Sequence, residues 1–400
     1  MFLPYLPLLS LALGALGNAA PSPASDATAL DVASSKELLY LHRKLVEAES
    51  ITENEGDVGA WLASYLRKHD YTVEKQIVTK GRYNLLAYPS KRDTTILLTS
   101  HIDTVPPYWP YYYNETSGVI GGRGSVDAKA SVAAQIIAAQ GLAGQHVLRN
   151  DISLLFVVGE ETGGDGMRYF SDWADRPSYD IVIFGEPTEG KLVCGHKGML
   201  GFRLNATGKA AHSGYPWLGA SANDILVDAL SSLLELRQHL PWSDKYGNTT
   251  MNFGRLMGGV AANVVAETAG ASIATRLAAG TPKKVRNLIT RALAPATAAA
   301  KQAGGDLHVE WASEGYGPVD ISCDIDGFEK LTVNYGTDVP NLEGDHHRYL
   351  YGPGSIFVAH SDHEALTKKE LEQAVLDYRR LIIEAGKMHS MQSVEEQVEL

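Results

Sequence analysis

Apolar positions follow two periods that interleave over the first half of the chain. Residues 35–49 and 56–70 carry apolar side chains at helical spacing, and 128–140 is an Ala-rich segment of the same period. Runs of strand length fall at 72–77, 84–87, 94–99, 152–158 and 179–184. The last three are nearly continuous in apolar residues rather than alternating, as strands buried on both faces are. Buried strands alternating with helices predict an α/β domain, a mostly parallel sheet with helices on both faces. Residues 106–126 and 161–178 read as long loops.

The pattern changes after about Gly198. Strand-like 200–207, 250–257, 271–277 and 307–312 alternate with helix-like 220–236 and 281–293. The order strand-helix-strand-strand-helix-strand fits a ferredoxin-like α+β unit. It predicts an inserted domain over 198–314, with the first domain spanning 35–197 and resuming at 315–390. Residues 295–300 read as a soft loop, 368–388 as a terminal helix and 391–400 as a flexible tail.

The N-terminus changes the setting. Residues 2–16 are almost all apolar and are followed by small residues, then Pro21-Ser22-Pro23. This predicts a secretory signal peptide over 1–19 and a propeptide or loose arm over 20–34. The run is shorter than the roughly 20 apolar residues a membrane span requires, so a secreted protein with no membrane partner is expected. In that setting the sequons at Asn114, Asn205 and Asn248 become glycosylation candidates. The two cysteines, Cys194 and Cys323, are too few for a disulfide scaffold. One bridge between them and two separate thiols both remain open. The formal net charge is −12. With no cluster of Lys and Arg to track a phosphate backbone, nucleic acid is not an expected partner.

Chemistry concentrates where the apolar runs end. His101 and Asp103 follow the run 94–99, Glu160 and Glu161 follow 152–158, and Glu186 follows 179–184. Asp127 stands between a Gly-rich turn and a helix. Carboxyl ends of parallel strands are where open α/β sheets bind ligands. Imidazole and carboxylate donors together suit zinc. Clustered acids repel unless cations relieve them, and a pair of cations about 3.5–4 Å apart would do so. A single zinc, or a Mn or Co pair, is also compatible with these residue types. Sequence order does not select a second imidazole among His196, His212, His346, His347, His360 and His363.

Seven stretches in order resemble peptidase family M20, the co-catalytic zinc aminoacylases and carboxypeptidases. They are Ser100-His101-Ile102-Asp103-Thr104-Val105-Pro106, Gly122-Arg123-Gly124-Ser125-Val126-Asp127-Ala128-Lys129, Gly159-Glu160-Glu161-Thr162-Gly163-Gly164 and Gly185-Glu186-Pro187-Thr188, then Ala211-His212-Ser213-Gly214, Gly352-Pro353-Gly354, and Ala359-His360 followed by Glu364. The likeness spans about residues 35 to 385. It implies a zinc hydrolase domain with an inserted lid or dimerisation domain, and two zinc ions per subunit. His101, Asp127 and Glu186 would hold one zinc; Asp127, Glu161 and His360 would hold the other. Asp103 would orient the His101 ring and Glu160 would be the general base. The resemblance assigns an oxyanion donor to His212, reaching across a homodimer, and substrate contacts to Asn263, Arg276 and Gly354. Two departures stand out: Ala130 replaces a common Gly, and 339–350 is unusually rich in His and acid.

The expected function is that of a secreted zinc carboxypeptidase acting on peptides with a free C-terminus. An amidohydrolase acting on N-acyl amino acids and an aminopeptidase are the alternatives within the same chemistry. A secreted protein that binds metal without catalysis is the alternative outside it.

Overall fold

The computed structural model describes residues 29–142 and 151–398, with side chains described to residue 391. The expected signal segment 1–19 lies outside the described residues, as does most of the expected arm. The first helix, Val32–Glu47, begins three residues earlier than the apolar pattern indicates, because Asp31 caps it by accepting from the amides of Ala33 and Ser34.

A six-stranded sheet organises the first domain. Its order is Thr72–Thr79, Arg82–Tyr88, Ile152–Val157, Ile96–His101, Ile181–Gly185 and His347–Tyr351. The last four strands are mutually parallel, and the first two form an antiparallel edge. Every residue of Ile96–His101, Ile152–Val157 and Ile181–Gly185 is buried, as their largely apolar, non-alternating character predicts. One face is covered by Val32–Glu47, Gly56–Lys68, Lys129–Gly141 and the C-terminal helix Lys368–Val398, whose apolar residues form one core cluster with Leu98, Leu154, Phe156 and Ile183. The other face packs Leu97, Leu155, Val157 and Val182 against Met167, Phe170, Val339 and Leu350.

The second unit is a four-stranded antiparallel sheet. Its order is Thr250–Gly258, Thr268–Leu277, Gly198–Thr207 and Asp306–Trp311. Gly198–Thr207 alternates buried and exposed residues, and its buried set joins Ala222–Leu236 and Pro282–Gln302 in a separate core. Thr250–Gly258 is an edge strand exposing Leu256 and Met257, and Val260 just beyond it is exposed too.

Four local expectations change. Residues 295–300 are helical, not a loop: Pro282–Gln302 runs through Pro295. Tertiary packing offsets the lost hydrogen bond, since Ala296 and Ala300 are buried on the same face as Ile289 and Leu293. Residues 391–398 continue the last helix rather than forming a tail, since the segment after Met388 has no Gly or Pro and keeps good helix formers although its apolar period fades. The stretch 106–126 contains the hairpin Tyr112–Asn114 and Val119–Gly121, extended to three strands by Ala365–Thr367. The stretch 161–178 contains the helix Asp165–Ser171. Cys194 and Cys323 form a disulfide. No helix among the described residues is long and apolar enough to cross a membrane.

Candidate metal centre

The site lies at the carboxyl edge of the parallel strands. His101 ends its strand, and Glu186 follows the strand ending at Gly185. Glu160 and Glu161 form a 3-10 turn just after Ile152–Val157, entered through Gly159 at φ 75°. Asp127 precedes the buried helix Lys129–Gly141. Adjacent parallel strands bring these residues together although the chain separates them by 85 positions.

The donors fall into two groups that share one residue. Ligand atoms of His101, Asp127 and Glu186 lie within 4.8 Å of one another, and so do those of Asp127, Glu161 and His360. His101 Nε2 is 3.1 Å from Asp127 Oδ1 and 3.8 Å from Glu186 Oε2. His360 Nε2 is 3.2 Å from Asp127 Oδ2 and 2.9 Å from Glu161 Oε2. Asp127 therefore turns one oxygen to each imidazole. Of the competing histidines, His196 is buried against the Lys197 carbonyl and Thr337, His346 lines a separate cavity with Tyr179 and Leu342, and His363 is exposed beside Asp362.

Asp103 holds more than the ring of His101. Nδ1 of His101 donates to the Asp103 carbonyl at 3.0 Å, and the Asp103 carboxylate stands farther away at 3.5 Å. That carboxylate accepts instead from the amides of Glu160 and Glu161 and from the Thr52 hydroxyl, at 3.1, 3.2 and 2.7 Å. It thus fixes the turn that carries both glutamates. Thr52 has no motif to mark it, and its contact depends on a fold-level approach across 51 residues.

Burial sets the electrostatics. Desolvation, then the neighbouring Glu186, pushes the Glu160 carboxyl well above the usual range. Desolvation followed by Asp127 also raises Glu161, and desolvation brings Glu186 up to about 7. Hydrogen bonds to Asp127 and Glu161 raise His360 to about 10. Burial disfavours the charged His101 ring, yet the surrounding Asp103, Asp127 and Glu186 raise it overall. Burial thus favours the neutral form of Glu160, Glu161 and Glu186, whereas at Asp127 desolvation is outweighed by the hydrogen bonds from His101 and His360, which hold the carboxyl below the usual range. Glu161 Oε1 is buried with no hydrogen-bond partner. Imidazole nitrogens and carboxylate oxygens converging in two groups, one oxygen among them unsatisfied, fit a pair of divalent cations of the zinc type.

Other expected site residues lie at varying removes. Arg276, on Thr268–Leu277, reaches the first domain: a Cβ on Gly336 would stand 3.3 Å from its Nη1. Gly336 precedes Thr337-Asp338, and buried Asp338 is raised to about 6, chiefly by desolvation. Tyr335 donates to the Pro187 carbonyl and braces the Glu186 turn. Neither Asp338 nor Tyr335 is given a role by the sequence reading. Gly354 has φ 75°, and a Cβ there would meet Val126 at 2.7 Å, so a glycine is required for close packing next to Asp127. His212 and Asn263 are close to each other, with the Ser213 amide donating to the Asn263 carbonyl. Both are exposed on the inserted domain, where the His212 ring accepts from the Gly214 amide and lies against Tyr215. Asn114, Asn205 and Asn248 are all exposed, Asn205 within its strand.

Known proteins share both this sequence and this architecture. The profile of peptidase family M20/M25/M40 matches residues 97–384. A probable carboxypeptidase of Aspergillus flavus is 50% identical over 402 aligned residues, covering 92% of each chain. A tripeptidase from Staphylococcus aureus superposes with a TM-score of 0.71 at 22% identity, over 87% of this chain and 98% of that one. An M20 family metallo-carboxypeptidase from Sulfolobus solfataricus gives 0.68 at 18% identity, over 86% and 98%. At those identities the solved structures establish a shared fold. The family profile and the close fungal relative establish more: this chain is a hydrolase belonging to peptidase family M20/M25/M40.

Proposed function

We propose that the protein is an exported carboxypeptidase that uses two divalent cations, zinc being the best match to the donors. The observation that carries this reading is the pair of donor groups sharing Asp127, with Glu160 beside them. His101, Asp127 and Glu186 would hold one cation; Asp127, Glu161 and His360 would hold the other. When bound, such a pair lowers the pKa of a nearby water and polarises a substrate carbonyl.

The chain's own residues do the rest. Glu160 accepts the proton of the attacking water and delivers it to the leaving nitrogen. Its high proton affinity suits that exchange, and the Asp103 carboxylate keeps its backbone in place. Arg276 supplies a fixed positive charge beside the Gly336 segment, where a substrate C-terminal carboxylate would find a partner. The Aspergillus relative, a probable carboxypeptidase, supports carboxypeptidase over the alternatives. Release of single C-terminal amino acids, compared by mass spectrometry over free peptides, C-terminally blocked peptides and N-acyl amino acids, tests the reading. Cleavage confined to N-acyl amino acids would replace it with an amidohydrolase.

His212 lies on an exposed loop of the inserted domain, and we infer that it serves as oxyanion donor to the site of a second copy of the chain. A homodimer pairing along the exposed edge Thr250–Gly258 would bury Leu256, Met257 and Val260. Mixing Glu160→Ala with His212→Ala protein tests this directly, since exchange of subunits restores one intact site. Export is supported by the apolar N-terminal run, three exposed sequons and the disulfide. A glycosidase-sensitive mass shift of protein recovered from culture medium checks it.

A further inference from the structure

The second donor group is assembled from three segments far apart in sequence, and one buried side chain joins two of them, those of Asp127 and His360. Glu364, 2% exposed, lies four residues after His360. Its Oε1 accepts from the amides of Val126 and Asp127 at 3.0 and 3.1 Å. Its Oε2 accepts from Arg123 Nη1 at 2.6 Å. Its carbonyl accepts from the Gly122 amide at 3.3 Å and the Ser125 hydroxyl at 3.2 Å. Arg123 is itself 2% exposed and spends its Nε on the Pro107 carbonyl at 3.1 Å. Immediately afterwards, Ala365–Thr367 pairs with Val119–Gly121. The loop before Asp127 and the loop after His360 are therefore zipped together, and Glu364 is the last tooth before the site.

His360 needs such support. Its side chain is 52% exposed, and its backbone sits at φ 63°, a conformation non-glycine residues seldom adopt. Packing alone does not hold it 3.2 Å from Asp127. A buried ion pair is a weak source of net stability compared with apolar packing. A carboxylate whose acceptor positions are all directed at a single turn is suited to fixing geometry.

We propose that Glu364, clamped by Arg123, is a positioning residue that holds Asp127 and His360 in mutual register and so preassembles the Asp127–Glu161–His360 group for its cation, an inference resting on the two-cation reading above. Outer residues that orient ligands are typically worth about 10–100-fold in metal affinity.

The test is competition titration of metal-free protein with Zn²⁺ against a chromophoric chelator. It compares the parent with Glu364→Gln, Glu364→Ala and His360→Ala, and includes thermal melting of each metal-free sample. The parent takes up two equivalents and His360→Ala loses one. Glu364→Gln keeps both, but one affinity falls about 10–100-fold, and its turnover recovers at excess zinc with KM unchanged. Parent-like affinities in Glu364→Gln overturn the proposal, whether or not its melting temperature falls, because a role confined to folding would move melting alone. If the Glu364 variants do not fold, Arg123→Lys leaves the carboxylate in place and must weaken the same site measurably; parent-like binding there also overturns the proposal. A parent that takes up fewer than two equivalents removes the two-cation reading itself.

Discussion

The sheet rim and the inserted domain's loop 211–218 both carry residues that the family likeness assigns to catalysis, but the fold treats them in opposite ways. At the rim, His101, Asp103 and Asp127 are at most 5% exposed, and the turns carrying the ligands are tied by buried carboxylates. On the loop, His212, Tyr215 and Trp217 face solvent, and the His212 ring accepts from the Gly214 amide two residues on. A single chain can thus preorganise the metal-binding half of the site, where burial makes each polar group seek a partner. The half that, on the reading proposed above, meets the developing charge is left exposed in a single chain.

The contrast can be broken most strongly at Glu160. Glu160→Ala is expected to retain two cations and lose about 10²–10⁴-fold in turnover, read by metal analysis beside rates. Normal turnover would remove Glu160 as the base. On the loop, His212→Ala is expected to lower turnover about 10²–10³-fold while metal content and melting stay at parent values. Equal loss of metal and turnover would move His212 into the rim's half of the comparison.

A third prediction concerns protons. Glu186 near 7 and His360 near 10 hold protons at neutral pH that a cation must displace. Zinc uptake at pH 7 is therefore expected to release protons. Lowering the pH strengthens the competition, so apparent affinity should fall about tenfold per pH unit for each proton displaced. Calorimetry in buffers of different ionisation enthalpy measures this, and uptake without proton release would contradict it. The smallest effect belongs to the loop: Trp217→Ala, 74% exposed, should change stability by no more than about 0.5 kcal/mol. By comparison, Phe156→Ala in the sheet should cost about 3–5 kcal/mol. Denaturant melts of the two variants sharpen the distinction between a packed rim and an unpartnered surface.

How much of this is legible in the sequence follows the same division. Runs such as 152–158 announce a buried strand because every neighbour in the final sheet demands apolar side chains, and the acids after them are placed by continuity. The sheet and its helices were readable on that basis. Pro295 misleads, because local propensity marks a break where packing of Ala296 and Ala300 sustains a helix. Hydrogen bonds spanning the chain leave no local trace: Thr52 to Asp103 crosses 51 residues and Asp127 to Glu364 crosses 237. Glu364 appears in the motif only as a residue following His360, and Asp338 belongs to none of the seven stretches. The location of His212 relative to the carboxylates depends on how one domain, or one chain, approaches another, and no periodicity encodes that.

The central claim is tested most directly by counting metal and activity together. Protein stripped with chelator and reloaded stepwise with zinc is expected to be inactive when empty and to reach full peptidase turnover at the second equivalent per chain. Full turnover in a metal-free sample indifferent to chelator would contradict the account.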